Sequence, residues 1–202
     1  MRLYILRHGQ TNFNSEKRFQ GRMQTELNDV GIAQSEKVAE LLNEQGIKFD
    51  KVYCSPLERA IKTGEIVTGL TRNKFIIDND LTEIDFGINE GRKYEELRGE
   101  KGNIFLSPET YMPPEDGESL ETLRFRTKRF LERVRDENSD GNILAISHGT
   151  AIHMMLLYMR GLDFSDLWTE HVGNCNVTVV DVEGWDLIIR DDLQIKTDKY
   201  IK

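Results

Sequence analysis

Short apolar runs alternate with stretches of helical period along this chain. Leu3-Tyr4-Ile5-Leu6 is an apolar run of strand length, bounded by a turn at Gly9. Residues 9–27 are polar and read as a loop. From Asn28, a suitable N-cap, Ile32, Val38, Leu41 and Leu42 recur on one helical face to about Glu44, before Gly46. Residues 51–54 predict a second strand, and Ser55-Pro56 a cap and first-turn proline for a helix to about Thr68, before Gly69. Another strand-like stretch covers 75–84. Leu120, Leu123, Phe130, Leu131 and Val134 mark an amphipathic helix from Ser119 to about Glu137. Residues 142–146 read as a buried strand, and the turn at His148 leads into an apolar helix through Met159. Residues 176–182 and 185–189, parted by Glu183-Gly184, predict a closing hairpin.

This order implies an α/β fold: a three-layer α/β/α sandwich whose mainly parallel mixed sheet ends in an antiparallel edge. One domain over residues 1–202 is expected. Residues 84–118 are rich in Gly, Pro and charge and lack sustained periodicity, apart from a helical piece near Tyr94 to Leu97, so a lid-like insertion is expected there.

Charge and cysteine content narrow the setting. The net charge of −8 counts against nucleic acid and anionic membrane as partners, although local arginines can still reverse the field inside a cleft. Cys54 and Cys175 both lie in apolar segments, as in a reduced cytoplasmic protein. The N-terminus lacks a secretory pattern, and no apolar run approaches membrane-spanning length.

Candidate chemistry gathers where strands end. Arg7-His8-Gly9 follows the first strand, where open α/β sheets place their ligands. A neutral imidazole is a competent nucleophile toward phosphorus, and a neighbouring guanidinium favours the neutral form. Arg7 can also clamp phosphoryl oxygens, and Gly9 permits close backbone approach to a ligand. Arg59 falls in the first turn or so of the helix that follows the second strand; alone, it better suits a solvated helix face. Glu83 reads as a strand-end carboxylate, either a solvated group or the proton donor a leaving alkoxide needs. His148 reads as a satisfied core histidine or as a second phosphoryl ligand. Together these four strand ends hold the inventory for phosphoryl transfer through a histidine.

In order and spacing, the chain resembles the histidine phosphatase superfamily, the phosphoglycerate mutase-like family, over almost its whole length. The resemblance rests on Arg7-His8-Gly9-Gln10-Thr11 with Asn14, Gln20-Gly21, Leu27 with Gly31, and Ser55-Pro56-Leu57-Glu58-Arg59-Ala60 with Thr63. It continues through Glu83 with Gly87, Glu90-Gly91, Gly117-Glu118-Ser119 and Ser147-His148-Gly149. The resemblance implies that His8 becomes transiently phosphorylated while Arg7, Arg59 and His148 bind the phosphoryl group. It also implies that Glu83 protonates the leaving oxygen and then activates water. Asn14, Gln20 and Gly21 would contact substrate, and no metal or other cofactor is implied. Gln24 and Asn89 depart from the aspartate and tryptophan common in relatives, with an expected effect on the pocket wall.

The expected activity is phosphomonoester hydrolysis of a small phosphorylated metabolite. The alternatives are phosphoglycerate mutase-type transfer and an inactive phospho-ligand binding module. The span from Glu83 to Gly117 is short and has no Arg-Arg pair, which favours hydrolysis over the mutase. Lys17, Arg18, Arg22, Arg92 and Lys93 read as solvated cations; alternatively one or two of them, Arg22 foremost, bind a second anionic group of the substrate. Met154, Met155, Tyr158 and Met159 suit core packing or a homodimer interface equally.

Overall fold

The computed structural model describes residues 1–97, 99 and 102–197. Positions 98, 100 and 101 of the expected insertion lie outside the described residues. Six strands form one sheet in the order β3 (Ile76–Ile77), β2 (Lys51–Cys54), β4 (Asn142–Ser147), β1 (Arg2–Arg7), β5 (Val177–Glu183), β6 (Asp186–Ile189). The first four run parallel, and β5 and β6 add the antiparallel edge. In β1 successive side chains face opposite layers. Tyr4 and Leu6 pack with Val38 and Leu42 of α2 (Asp29–Glu44) and with Ala60 and Ile61 of α3 (Glu58–Thr68). Leu3 and Ile5 pack with Phe130 and Val134 of α4 (Leu120–Glu137) and with Ile152 and Met155 of α5 (Gly149–Arg160). Helices on both faces explain why β1 and β4 read as continuous apolar runs rather than alternating ones.

Three local expectations differ from the structure. The loop over 9–27 contains a one-turn helix, α1 (Asn12–Ser15), capped reciprocally by Thr11 and Asn14. The helix expected at Ser55-Pro56 begins at Glu58; its N-cap is Leu57, which offers no side-chain cap, and Gln24 Oε1 accepts the Glu58 N–H at 3.0 Å. The strand expected over 75–84 is only the exposed pair Ile76–Ile77. Asp78-Asn79-Asp80 then bends the chain, with Asp78 Oδ1 accepting the Asp80 N–H at 2.9 Å. Glu83 therefore stands on a loop and not at a strand end.

Residues 84–118 pass through short 3-10 turns, including Tyr94–Leu97. Phe86, Leu97 and Ile104 pack in a cluster with Phe19, Leu120 and Leu157, so this segment forms a wall of the molecule. Met154 and Met155 lie in the core, and Tyr158 and Met159 pack partly buried against it. No described helix is long and apolar enough to cross a membrane. Both cysteines are free and buried.

The close approach at Gly9 is to the protein's own backbone. A Cβ on Gly31 would stand 2.1 Å from the Gln10 carbonyl oxygen, and one on Gly9 would stand 2.5 Å from the Gly31 carbonyl oxygen. Neither neighbour is a flexible side chain. Gly31→Ala should cost about 3 kcal/mol or more, whereas Gly46→Ala, strained only by its positive φ, should cost about 1 kcal/mol. Urea unfolding of the two variants checks this; equal costs would contradict it.

Candidate active site

His8 follows β1, and its backbone N–H donates to the Ser147 carbonyl of β4 at 3.0 Å. Its Nδ1 lies 2.7 Å from the Gly9 carbonyl oxygen. A carbonyl can only accept, so Nδ1 carries the hydrogen and Nε2 holds the free lone pair. Burial, together with the positive charges of Arg59 and Arg7, pushes the His8 pKa well below its usual value. Arg7 Nη1 donates to the Val172 carbonyl at 2.5 Å, and its guanidinium lies against Gly149, where a Cβ would come within 3.4 Å of Cζ.

Arg59 is among the largest fully buried side chains of the protein. Its Nη2 donates to the Gly21 carbonyl at 2.7 Å and its Nη1 to the Met23 carbonyl at 2.8 Å. Burial lowers its pKa to about 10, against the raising influence of Glu83 and Glu90. Gly21 suits its φ of +52°, and a Cβ there would fall 1.8 Å from Glu90 Oε1 and displace that carboxylate. That Glu90 oxygen also accepts the Arg22 N–H at 2.7 Å. The Gln20-Gly21 turn and the Glu90-Gly91 pair thus lock together.

Glu83 is buried at the N-terminus of α5. Its Oε1 accepts N–H bonds from Ile84 and Ala151 at 2.9 and 3.1 Å, and its Oε2 accepts one from Thr150 at 3.0 Å. Arg126 of α4 fixes the segment bearing it, donating to the carbonyls of Asp80, Thr82 and Glu83 at 2.8, 2.7 and 3.0 Å. Glu118 holds that guanidinium bidentately, at 2.7 and 2.8 Å.

His148 caps β4 and is fully buried, with its ring centroid 5.1 Å from that of His8. Its Nε2 lies 2.7 Å from Ser55 Oγ. Burial and the nearby cations, Arg59 foremost, lower its pKa strongly. Its Nδ1 and Arg59 Nε are buried without a hydrogen-bond partner. Two unsatisfied nitrogens of this kind are costly unless an oxygen-rich ligand meets them.

Arg7, His8, Asn14, Gln20, Gly21, Arg59, Glu83, Gly149 and Thr150 line one cavity of about 230 Å³, together with Phe86, Tyr94, Phe105, His153 and Trp168. His148 is not among these lining residues, but its ring packs against that of His8. Asn14 and Gln20 reach the cavity with their carbonyl oxygens already engaged: Asn14 Oδ1 with Thr11, and Gln20 Oε1 with Thr11 and Thr25. Arg22 is not among the lining residues; its guanidinium faces Asp85 and Glu118, each at 3.4 Å. Nor do Lys17, Arg18, Arg92 or Lys93 line it. Arg18 pairs with Glu16, Arg92 with Glu96 and Lys93 with Glu95. Gln24 and Asn89 also lie off this wall: Gln24 caps α3, and Asn89 accepts from Arg92.

Sequence reasoning missed several groups that hold the site. Asn174 Nδ2 donates to the His8 carbonyl at 3.0 Å, and Cys175, at a left-handed φ of 55°, directs its N–H to the carbonyls of Arg7 and His8. Thr63 Oγ1 accepts the Gly9 N–H at 2.9 Å. Thr63 stands in the motif that carries the family resemblance, though with no role attached to it there. Ser55, expected as a cap, instead meets His148.

His8, His148 and His153 are buried with lowered pKa values, that of His153 to about 3. Below pH 6.5 the unfolded chain takes up protons that these rings refuse, so stability falls as pH falls. Between pH 6.5 and 5.5 each ring costs about 1 kcal/mol, or about 3 kcal/mol in all. Urea titrations at both pH values should show this loss, and His153→Phe should remove about a third of it. A flat profile would contradict the buried neutral rings.

The family model described as histidine phosphatase superfamily (branch 1) matches residues 3–191. Phosphoglycerate mutase-like protein 4 of Arabidopsis thaliana is 33% identical, over 95% of this chain and 85% of its own. The adenosylcobalamin/alpha-ribazole phosphatase of Escherichia coli strain K12 is 29% identical over 90% of both chains. Among solved structures, a phosphoserine phosphatase mutant from Entamoeba histolytica, in complex with phosphoserine, superposes with a TM-score of 0.82. It is 26% identical, over 94% of this chain and 95% of its own. By sequence and by fold, the chain belongs to the histidine phosphatase superfamily.

Proposed function

We propose that this enzyme hydrolyses the phosphomonoester of a small metabolite through a phosphohistidine on His8. The observation that carries the reading is the neutral His8 imidazole, its Nδ1–H fixed on Gly9 and two guanidinium groups beside it. Nε2 attacks phosphorus as the ester P–O bond breaks, and Arg7 and Arg59 hold the charge on the equatorial oxygens. Arg59 Nε and His148 Nδ1 find their partners in those oxygens. With Ser55 donating its hydroxyl proton to His148 Nε2, Nδ1 is left to donate.

Glu83 supplies a proton to the leaving oxygen and then removes one from the water that cleaves the N–P bond, releasing inorganic phosphate. Oε1 already accepts two N–H bonds and Oε2 only one, so Oε2 is the oxygen that exchanges the proton. Asn14, Gln20 and Gly21 border the ester oxygen and the start of the leaving group. A mutase reading draws on the 33% identity to a phosphoglycerate mutase-like protein. Against it, Arg7 and Arg59 are the only arginines or lysines among the described lining residues, so a sugar acid's carboxylate lacks a cation.

Phosphate release from p-nitrophenyl phosphate and from an alkyl phosphate tests the mechanism. His8→Ala should lose about a thousandfold or more on both and form no acid-labile phosphoenzyme. Glu83→Gln should lose about a hundredfold or more on the alkyl ester, and markedly less on p-nitrophenyl phosphate, whose leaving group needs little protonation. A His8→Ala protein that turns over at the wild-type rate would falsify the reading. Interconversion of 2- and 3-phosphoglycerate in the same preparation would favour the mutase.

A further inference from the structure

The lining of the cavity falls into two chemically distinct groups. One is Arg7, Arg59, His8 and Glu83. The other is a set of rings, Phe86, Tyr94, Phe105, His153 and Trp168, of which Tyr94 and His153 lie within electrostatic reach of Arg7. These rings support one another, with Tyr94 and Phe105 centroids 4.7 Å apart, Phe105 and Trp168 5.1 Å apart, and His153 and Trp168 4.8 Å apart. Trp168 spends its only donor on the Ile104 carbonyl at 2.6 Å, so it offers the cavity its ring and no free N–H. Burial keeps the Tyr94 phenol protonated and the His153 imidazole neutral. The cations nearest in sequence to these walls, Arg18, Arg22, Arg92 and Lys93, are paired with carboxylates outside the cavity.

We infer that this set of rings forms a subsite for an uncharged, flat or apolar leaving group, so that the preferred substrates are monophosphates of aryl or nucleoside-like alcohols rather than phosphorylated acids or bisphosphates. The inference rests on the phosphoryl site proposed above and adds what occupies the rest of the cavity. A carboxylate or second phosphate entering here would lose its hydration to aromatic rings, while the lining cations, Arg7 and Arg59, are committed to the phosphoryl group. An aromatic or apolar group would gain stacking and buried area on the same rings. The neutral His153 ring adds one donor and one acceptor for a hydroxyl or ring nitrogen, at no charge.

Binding of non-hydrolysable phosphonates separates this inference from the phosphatase reading, because it needs no turnover. Titration calorimetry of the wild-type protein should show benzylphosphonate binding about tenfold or more tightly than 3-phosphonopropionate. Trp168→Ala should weaken benzylphosphonate by about tenfold and leave inorganic phosphate, which fills only the phosphoryl site, within about twofold. Because loss of Trp168 could unsettle the fold, F105R gives an independent arm: a cation in the wall should narrow or invert the preference, with thermal melting confirming a folded protein. Equal or tighter binding of 3-phosphonopropionate by the wild type would overturn the inference, as would a folded Trp168→Ala protein that binds benzylphosphonate undiminished. Absence of phosphate release from any ester would count against the phosphatase reading alone.

Discussion

Six consecutive pairs, from Arg2 beside Asn142 to Arg7 beside Ser147, set β1 level with β4. The hydrogen bond from the His8 N–H to the Ser147 carbonyl carries this register one residue beyond the strands. His8 and His148 consequently leave the sheet side by side. Period-two alternation makes the pairing stringent, since a one-residue slip would turn Leu3 and Ile5 toward the layer that holds Tyr4 and Leu6. Both layers are filled, by α2 and α3 on one face and α4 and α5 on the other, so the burial of about a dozen apolar side chains defends the register. The position of the nucleophile is thus fixed first by the core, and the bonds from Asn174 and Cys175 to the carbonyls of residues 7 and 8 add to it.

Charge at the site is managed through backbone carbonyls. Arg59 and Arg126 are both buried, and each spends its guanidinium on carbonyl oxygens of a segment that must be held: Arg59 on residues 21 and 23, Arg126 on residues 80, 82 and 83. A buried guanidinium is costly unless its donors are met, so each segment is clamped by the same bonds that make its arginine tolerable. Arg126 also has the Glu118 carboxylate, whereas Arg59 keeps Nε unsatisfied beside the His8 ring. The first arrangement is closed and positions Glu83; the second leaves one buried donor unsatisfied.

Legibility from the sequence followed how locally each feature is determined. The strand runs, the Asn28 cap and the face of α4 are set by short-range patterns, and the structure reproduces them. Glu83 was misplaced onto a strand because the branched residues near 76 and 77 suggest one, while the clamp that holds Glu83 on a loop comes from Arg126, 43 positions away. Asn174 and Cys175 carried no local signal either, since their partners at residues 7 and 8 lie across the whole chain. The arginines that looked available on the 17–22 loop meet carboxylates that periodicity cannot pair with them. Arg22, facing Asp85 and Glu118, is the clearest case.

The same contrast separates chemistry from selectivity. Arg7, His8 and His148 sit at or beside the ends of β1 and β4, and Arg59 in the first turn of α3, positions that sheet and helix geometry fix whatever the surrounding loops do. Phe86, Tyr94 and Phe105 belong to the segment without periodicity, and they reach the cavity through ring-on-ring contacts with one another, with Phe19 and with Trp168. Such a wall can change its size and polarity one ring at a time without disturbing the register of β1 on β4. A fold built this way can keep one phosphoryl-transfer chemistry while the rest of the cavity wall differs, and in this chain that wall includes Phe86, Tyr94, Phe105, His153 and Trp168.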